Sequence, residues 1–321
     1  MLRAIVLGIV QGLTEFLPIS SSAHLSIVPK LLGWDTPKLA FEVLLHFGTL
    51  AAVVVYFARD LWAFVLCLVV PGRLGPAQTS LRRRMLGLLV LASVPAALVG
   101  FLLQDWADAQ ASRPLRAAVW LVATTAILMG AELYDRRRTA AAVPAAAAPA
   151  DQAPGTPAAD PAPDVQQAPT RVAATRVERH ARRAGGPPAD AEEELERLPV
   201  AKAAGIGVAQ ALALVPGTSR SGVTISAGLF EGVSREAAAR FSFLLSIPAI
   251  LGAGILKLGD LSAAGESTPE LLAGFLAAAV SGFLAVSFLL RLLRTHTLWP
   301  FIWYRLAAGG LFVLLLATVR G

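Results

Sequence analysis

The chain has 321 residues, of which 55% are hydrophobic and only 16% charged, with a formal net charge of +6. Soluble domains carry about a quarter charged residues; this deficit, with a mean hydropathy of +0.62, excludes an ordinary soluble protein and points to an integral membrane one. The arginines sit beside apolar runs and form no basic face with interleaved aromatics, so the charge argues for anchored loops and against a nucleic-acid partner.

The first apolar stretch, Leu2 to Leu32, is broken in the middle by "PISSSAH". Proline and serine there rule out one unbroken spanning helix, and each half is too short to cross alone. A hairpin that enters and leaves on one side is expected, covered by protein or lining a watery cavity. Gln11 and Glu15 interrupt the run and no small-residue cleavage site follows, so a cleavable signal peptide is not expected. Three crossings follow, over Leu39 to Phe57, Leu86 to Leu103 and Ala117 to Tyr134. Leu61 to Val70 is too short to span; it either prolongs the first crossing or lies along the surface. Cys67, the only cysteine, is expected in the core.

Thr139 to Pro199 is rich in alanine and proline and has no Phe, Trp or Tyr. It is expected to be a largely disordered linker, with a short solvated helix in "ADAEEELERL". Val200 to Phe230 is a second long apolar stretch, broken by "PGTSRSG". Three more crossings follow, over Phe241 to Leu258, Leu271 to Leu290 and Phe301 to Val319. Basic loops ("PGRLGPAQTSLRRR", "YDRRRT", "RLLRTH") read as cytoplasmic; "QDWADAQASRPLR" and the acidic "GDLSAAGESTPE" read as outside.

The two broken stretches resemble each other: "GIVQGLTEFLPISSSAHL" and "GVAQALALVPGTSRSGVT" align with one gap, pairing Gln11 with Gln210 and Pro18 with Pro216. Each precedes three crossings, so the second copy is expected to be inverted relative to the first. The fold expected is all-α and polytopic: a first repeat over residues 1–138, a cytoplasmic loop over 139–199, and an inverted repeat over 200–321.

Ionisable residues at membrane depth are costly, and each is a functional hypothesis. Gln11 and Glu15 share one face of the first half-helix. Ser20, Ser21 and Ser22 stand where a new helix begins, at its positive end, a ready anion site. His24 lies three residues beyond Ser21, so the two side chains can meet. The second break supplies Gly217, Thr218, Ser219, Arg220 and Ser221; the glycine permits close backbone approach and the arginine offers a fork for phosphate oxygens. Together these suit phosphoryl transfer. His46 is expected to pack or hydrogen-bond, Glu42 and Arg59 to snorkel, His180 and His296 to be solvated, and "LWPFIWYR" to form an interfacial belt.

At these residues the sequence resembles the bacterial undecaprenyl-diphosphate phosphatases of the BacA/UppP type. "QGLTEFLPISSSAHL" and "PGTSRSG" are similar to their two signatures, and "FEVLLHFGTLAAV", "FSFLLSIPAILGAG" and "WPFIWYR" to further family stretches. The resemblance covers nearly the whole chain except Thr139 to Pro199. It implies hydrolysis of undecaprenyl diphosphate in the bacterial inner membrane, a site opening outward, and a divalent cation, Mg or Ca. Carried over by position, Glu15, Ser21, His24 and Arg220 form the catalytic set, with Glu15 also on the metal. Gln11, Ser20, Ser22, Gly217, Thr218, Ser219 and Ser221 are expected to bind substrate. Gln11 stands where the family often has glutamate, leaving Glu15 to hold the cation with water and substrate oxygens. Ser21 as nucleophile with His24 handling the proton is one scheme; His24 as nucleophile is the other. A transporter or flippase for an anionic lipid is the rival function, and pairing as a homodimer stays open.

Overall fold

The computed structural model describes residues 1–111, 113–142, 191–257 and 267–318. Among these it is built of helices and turns, with no strand. In chain order they are α1 (Leu2–Phe16), α2 (Ser21–Leu31), α3 (Leu39–Tyr56), α4 (Ala58–Val69), α5 (Pro76–Leu102), α6 (Gln104–Ala111), α7 (Pro114–Ala123) and α8 (Thr125–Ala142). The second half holds α9 (Ala191–Glu196), α10 (Val200–Gln210), α11 (Arg220–Phe230), α12 (Arg235–Leu256), α13 (Thr268–Leu293) and α14 (Trp299–Thr318). Six stretches are long and apolar enough to cross a membrane: α3, α5, the α7–α8 pair, α12, α13 and α14. The protein is thus an all-α polytopic membrane protein. Large apolar side chains such as Val69 and Leu102 are 72% and 74% exposed, as expected where hydrocarbon rather than water is the solvent.

Three boundaries differ from the sequence expectation. The second crossing starts at Pro76, not Leu86, because the arginines before Leu86 can be helical while their heads find oxygen: Arg83 Nε donates to the Cys67 carbonyl at 3.0 Å. The segment after Tyr56 turns at Phe57 and forms the separate α4. The third crossing is interrupted at Thr124, where Thr124 and Thr125 hydroxyls bond back to the carbonyls of Trp120 and Leu121, a habit that bends helices. Residues 143–190, most of the expected linker and with it His180, lie outside the described residues, as do residues 258–266 of the acidic loop. The short helix in "ADAEEELERL" is present as α9, but it is docked rather than solvated: Ala191 and Leu195 are buried and Arg82 pairs with Glu192 at 2.5 Å.

The two halves exchange contacts reciprocally. α1 lies against α13, and α10 lies against α5. Both crossings are close because a glycine stands at the contact: a Cβ at Gly8 would sit 2.4 Å from the Gly274 carbonyl oxygen, and one at Gly207 would sit 2.4 Å from that of Ala92. Small residues let backbones approach where lipid removes the usual hydrophobic drive for association. At one end of the bundle Glu132, fully buried, accepts from Arg235 Nη2 at 2.8 Å and Nε at 3.1 Å and from the Leu298 N–H at 3.3 Å. Asp135 meets the same guanidinium at 2.8 Å. A buried carboxylate is tolerated only when so compensated.

Candidate active site between two helix breaks

The broken hairpins α1–α2 and α10–α11 bring their tips together. After α1 the chain leaves the helix at Leu17 (φ −64, ψ 141), and α2 starts beyond Ser20. Among the described residues Ser20 (φ 74) and Ser219 (φ 62) are the only non-glycine residues in the left-handed region. Each stands immediately before an 11-residue helix, α2 or α11. This revises the alignment read from the sequence. Gln11 and Gln210 precede Ser20 and Ser219 by the same spacing, so the stretches superpose without a gap. Pro18 then falls opposite Gly217, and Ser21 opposite Arg220. Like residues at like places do the same work: Ser20 Oγ lies 3.3 Å from Ser22 Oγ, and Ser219 Oγ lies 3.3 Å from Ser221 Oγ.

The tips are also cross-linked. The Gly217 N–H donates to Ser22 Oγ at 3.1 Å, and Ser221 Oγ donates to the Leu17 carbonyl at 3.1 Å. Gly217 has φ +96, and a Cβ there would sit 2.2 Å from the Ala117 carbonyl oxygen, so no other residue fits without moving α7. Ser20 makes no side-chain cap to α2, which leaves its first-turn amides open, whereas Ser219 Oγ accepts from the Gly222 N–H at 3.2 Å in the usual N-cap manner.

Glu15 is the junction. Its Oε2 accepts from Ser21 Oγ at 2.6 Å and from Gln11 Nε2 at 3.0 Å. Its Oε1 accepts from Arg220 Nη2 at 3.0 Å. Arg220 is further held by the Ser242 carbonyl on α12, at 3.2 Å from Nη1. Glu15 is 8% exposed, while Ser21 is half-buried and Ser22 exposed, so the serine end of this group faces outward from the tip. Thr218 is buried and its hydroxyl has no partner among the described residues, and the Gln11 Oε1 is likewise buried and without one there.

His24 stands apart from this group. Its Nδ1 lies 2.7 Å from the Ser20 carbonyl, which can only accept, so Nδ1 carries the proton. Its Nε2 lies 2.8 Å from the Tyr304 hydroxyl and accepts from it. Helix geometry puts residue 24 on the Ser20 side of α2, so the expected meeting of His24 with Ser21 gives way to a pair with Tyr304.

Three participants escaped the sequence reading. His46 Nε2 comes within 3.6 Å of Glu15 Oε2. Tyr304 belongs to the stretch read as an interfacial belt. Arg305, 1% exposed, donates to the carbonyls of Pro18 and Leu121 at 3.0 Å each, to Thr125 Oγ1 at 2.9 Å and to Thr124 Oγ1. It pairs with no carboxylate among the described residues. Its charge faces instead the C-terminal carbonyls of α7 and of the first tip, where a cation is favoured. The signal that could have found Arg305 is its position inside an apolar span, where an arginine is rarely idle.

Two helix starts whose tips touch, a serine hydroxyl bonded to a buried carboxylate and an arginine fork form a polar cluster in an all-α membrane protein, a donor set with the chemistry to suit an anionic, phosphate-bearing group. The chain belongs to the BacA family: the family model described as "Bacitracin resistance protein BacA" matches residues 4–152 and 170–311. It is 41% identical over 315 residues to a protein of Geobacter sulfurreducens named undecaprenyl-diphosphatase, covering 96% of each chain. Proteins of the same name from Chlorobium phaeovibrioides (39% identical; 98% of this chain and 97% of the relative) and Alcanivorax borkumensis (41%; 96% of each) are similarly related.

Proposed function

We propose that the chain is an integral-membrane phosphatase. It hydrolyses undecaprenyl diphosphate to undecaprenyl phosphate and inorganic phosphate, returning the lipid carrier to cell-wall synthesis. The observation that carries the mechanism is the Ser21 hydroxyl donating to Glu15 Oε2 at 2.6 Å while Arg220 engages Oε1, in a chain whose relatives bear that enzyme's name.

Arg220 and the open first turn of α2 bind the terminal phosphate, using fork donors and amides left over from internal contacts. Ser21 Oγ attacks the terminal phosphorus and passes its proton to Glu15. The anhydride P–O bond breaks and undecaprenyl phosphate leaves. A water oxygen then bonds to phosphorus, the Ser21 Oγ–P bond breaks, and Glu15 returns to Ser21 the proton it took; inorganic phosphate departs with both of the water's protons. His24 as nucleophile is disfavoured, because Nδ1 carries a proton and the Nε2 lone pair is taken by Tyr304. The transporter reading is not favoured: a serine bonded to a carboxylate serves transfer chemistry, and mere binding of an anionic headgroup does not need it.

Glu15 and the unpartnered Gln11 Oε1 suit a hard cation as a partial shell, with water and phosphate oxygens completing it. Among the described residues no group of three or more His, Cys, Asp or Glu side chains is arranged to hold a metal alone. When bound, Mg or Ca would neutralise charge on the phosphates. We place the protein in the bacterial plasma membrane, with the tips opening outward and the halves related by inversion. Every group named here comes from one chain, so a homodimer is not required for the site.

The test is phosphate release from a prenyl diphosphate by purified protein in detergent, with and without chelator. Ser21→Ala is expected to lower kcat on the order of a thousandfold or more; full turnover in that variant would overturn the assignment.

A further inference from the structure

Beside the second tip lies a cavity of about 420 Å³ that the mechanism above leaves unused. Its size falls within the range of roughly 300–1,000 Å³ typical of small-molecule sites. Trp106, Leu115, Val119 and Trp120 of α6 and α7 line it, together with Val215 and Pro216. Trp106 and Trp120 are 44% and 45% exposed, so each offers an open ring surface rather than a packed one. Arg116 also lines the cavity; its Nη1 donates to Gln110 Oε1 at 2.7 Å and it pairs with no carboxylate among the described residues.

The cavity wall is continuous with the reactive tip. Pro216 precedes Gly217, which donates to Ser22 Oγ at 3.1 Å, next in sequence to Ser21. Gly217 also rests on the Ala117 carbonyl, and Ala117 is itself part of the wall. The candidate anion site thus lies beside an apolar, aromatic surface that carries one guanidinium with donors to spare beyond its bond to Gln110. That sequence of surfaces matches an amphiphile whose hydrocarbon begins immediately after its phosphates.

We propose that this cavity seats the first isoprene units of the prenyl diphosphate, with Arg116 beside the phosphate nearer the tail. The proposal rests on the phosphatase reading and specifies where that substrate's chain leaves the site. Flat, methyl-branched units present faces to the two indoles, and the bulk of a long tail runs on into the bilayer.

Trp106→Ala/Trp120→Ala in the full chain, purified in detergent, tests it. We expect the ratio of kcat/KM for farnesyl diphosphate to that for tail-less methyl diphosphate to fall about tenfold or more, mainly through KM, the size of effect that loss of about 1.4 kcal/mol of binding produces. Arg116→Gln should raise KM for both substrates. An unchanged ratio in an enzyme whose wild type is active would overturn the proposal while sparing the phosphatase reading; the two tryptophans would then simply face the bilayer. Should the wild type release no phosphate, the phosphatase reading falls by itself. Photo-crosslinking with a diazirine-bearing prenyl diphosphate in excess phosphatidylglycerol then decides the cavity: label on Trp106, Leu115 or Trp120 supports it, and label elsewhere or displacement by the phospholipid overturns it.

Discussion

Glu15→Gln probes the junction most directly, because the substitution keeps size and shape and changes only charge and one acceptor. In the wild type Oε1 accepts from Arg220 at 3.0 Å and Oε2 from Ser21 at 2.6 Å and Gln11 at 3.0 Å. An amide has one oxygen. If it faces Arg220, the NH₂ meets the donors of Ser21 and Gln11; if it faces Ser21, the NH₂ meets the guanidinium. Facing the guanidinium the NH₂ sets donor against donor, and facing Ser21 it obliges that hydroxyl to turn round and accept; either way one charge-assisted hydrogen bond, worth about 1.5–3 kcal/mol, is lost. Arg220 is left without its counter-ion at a side-chain exposure of 11%. Breaking a buried pair costs about 3–5 kcal/mol; the Ser242 carbonyl still holds Arg220, so the expected loss is about 3 kcal/mol. Removal of the proton acceptor should lower kcat by about 10²–10⁴-fold. Thermal unfolding and phosphate release in detergent measure the two effects separately. Adding Arg220→Gln should recover about 2 kcal/mol relative to the sum of the single changes, since each deletion removes the other's penalty. A Glu15→Gln protein with kcat within a few-fold of wild type would refute the proton-acceptor role, whatever its stability.

Arg305→Lys keeps the charge but cannot span Pro18, Leu121 and two threonines; we expect a loss of about 3 kcal/mol in stability and a fall in kcat as the Pro18 carbonyl loses its anchor, read by melting and turnover. Tyr304→Phe removes the donor to His24 Nε2; kcat should fall by less than about tenfold if Ser21 and Glu15 run the chemistry, and a loss equal to that of Ser21→Ala would move the centre of the mechanism to His24. Glu132→Gln breaks the paired contact with Arg235 outside the site, so denaturant unfolding should show about 2–4 kcal/mol of destabilisation with KM for the prenyl diphosphate unchanged.

The helix breaks show how far reading by pattern reaches. Proline and clustered serines in an apolar run are local facts, and they located both tips to within a few residues. Pairing the prolines, however, set the alignment one residue out beyond each break. The conformation that repeats is the left-handed serine before each helix, and a dihedral angle is not visible in residue identity. His24 shows a related gap: its spacing from Ser21 left two directions open, and packing against Tyr304 on a helix 280 residues further along chose one.

What the sequence determined by itself was the class of solvent and the inventory. Hydropathy and length set six crossings, because every backbone group in hydrocarbon must be satisfied within its own helix. The polar residues stranded in those runs include most of the side chains that the two tips hold together. Only the tertiary structure decided which of them meet. Glu15 reaches Arg220 across 205 positions, and Arg305 reaches Pro18 across 287, because glycines let α1 and α10 press closely against helices of the opposite half. Such contacts depend on where helices cross, and that is a property of complementary surfaces rather than of any one segment.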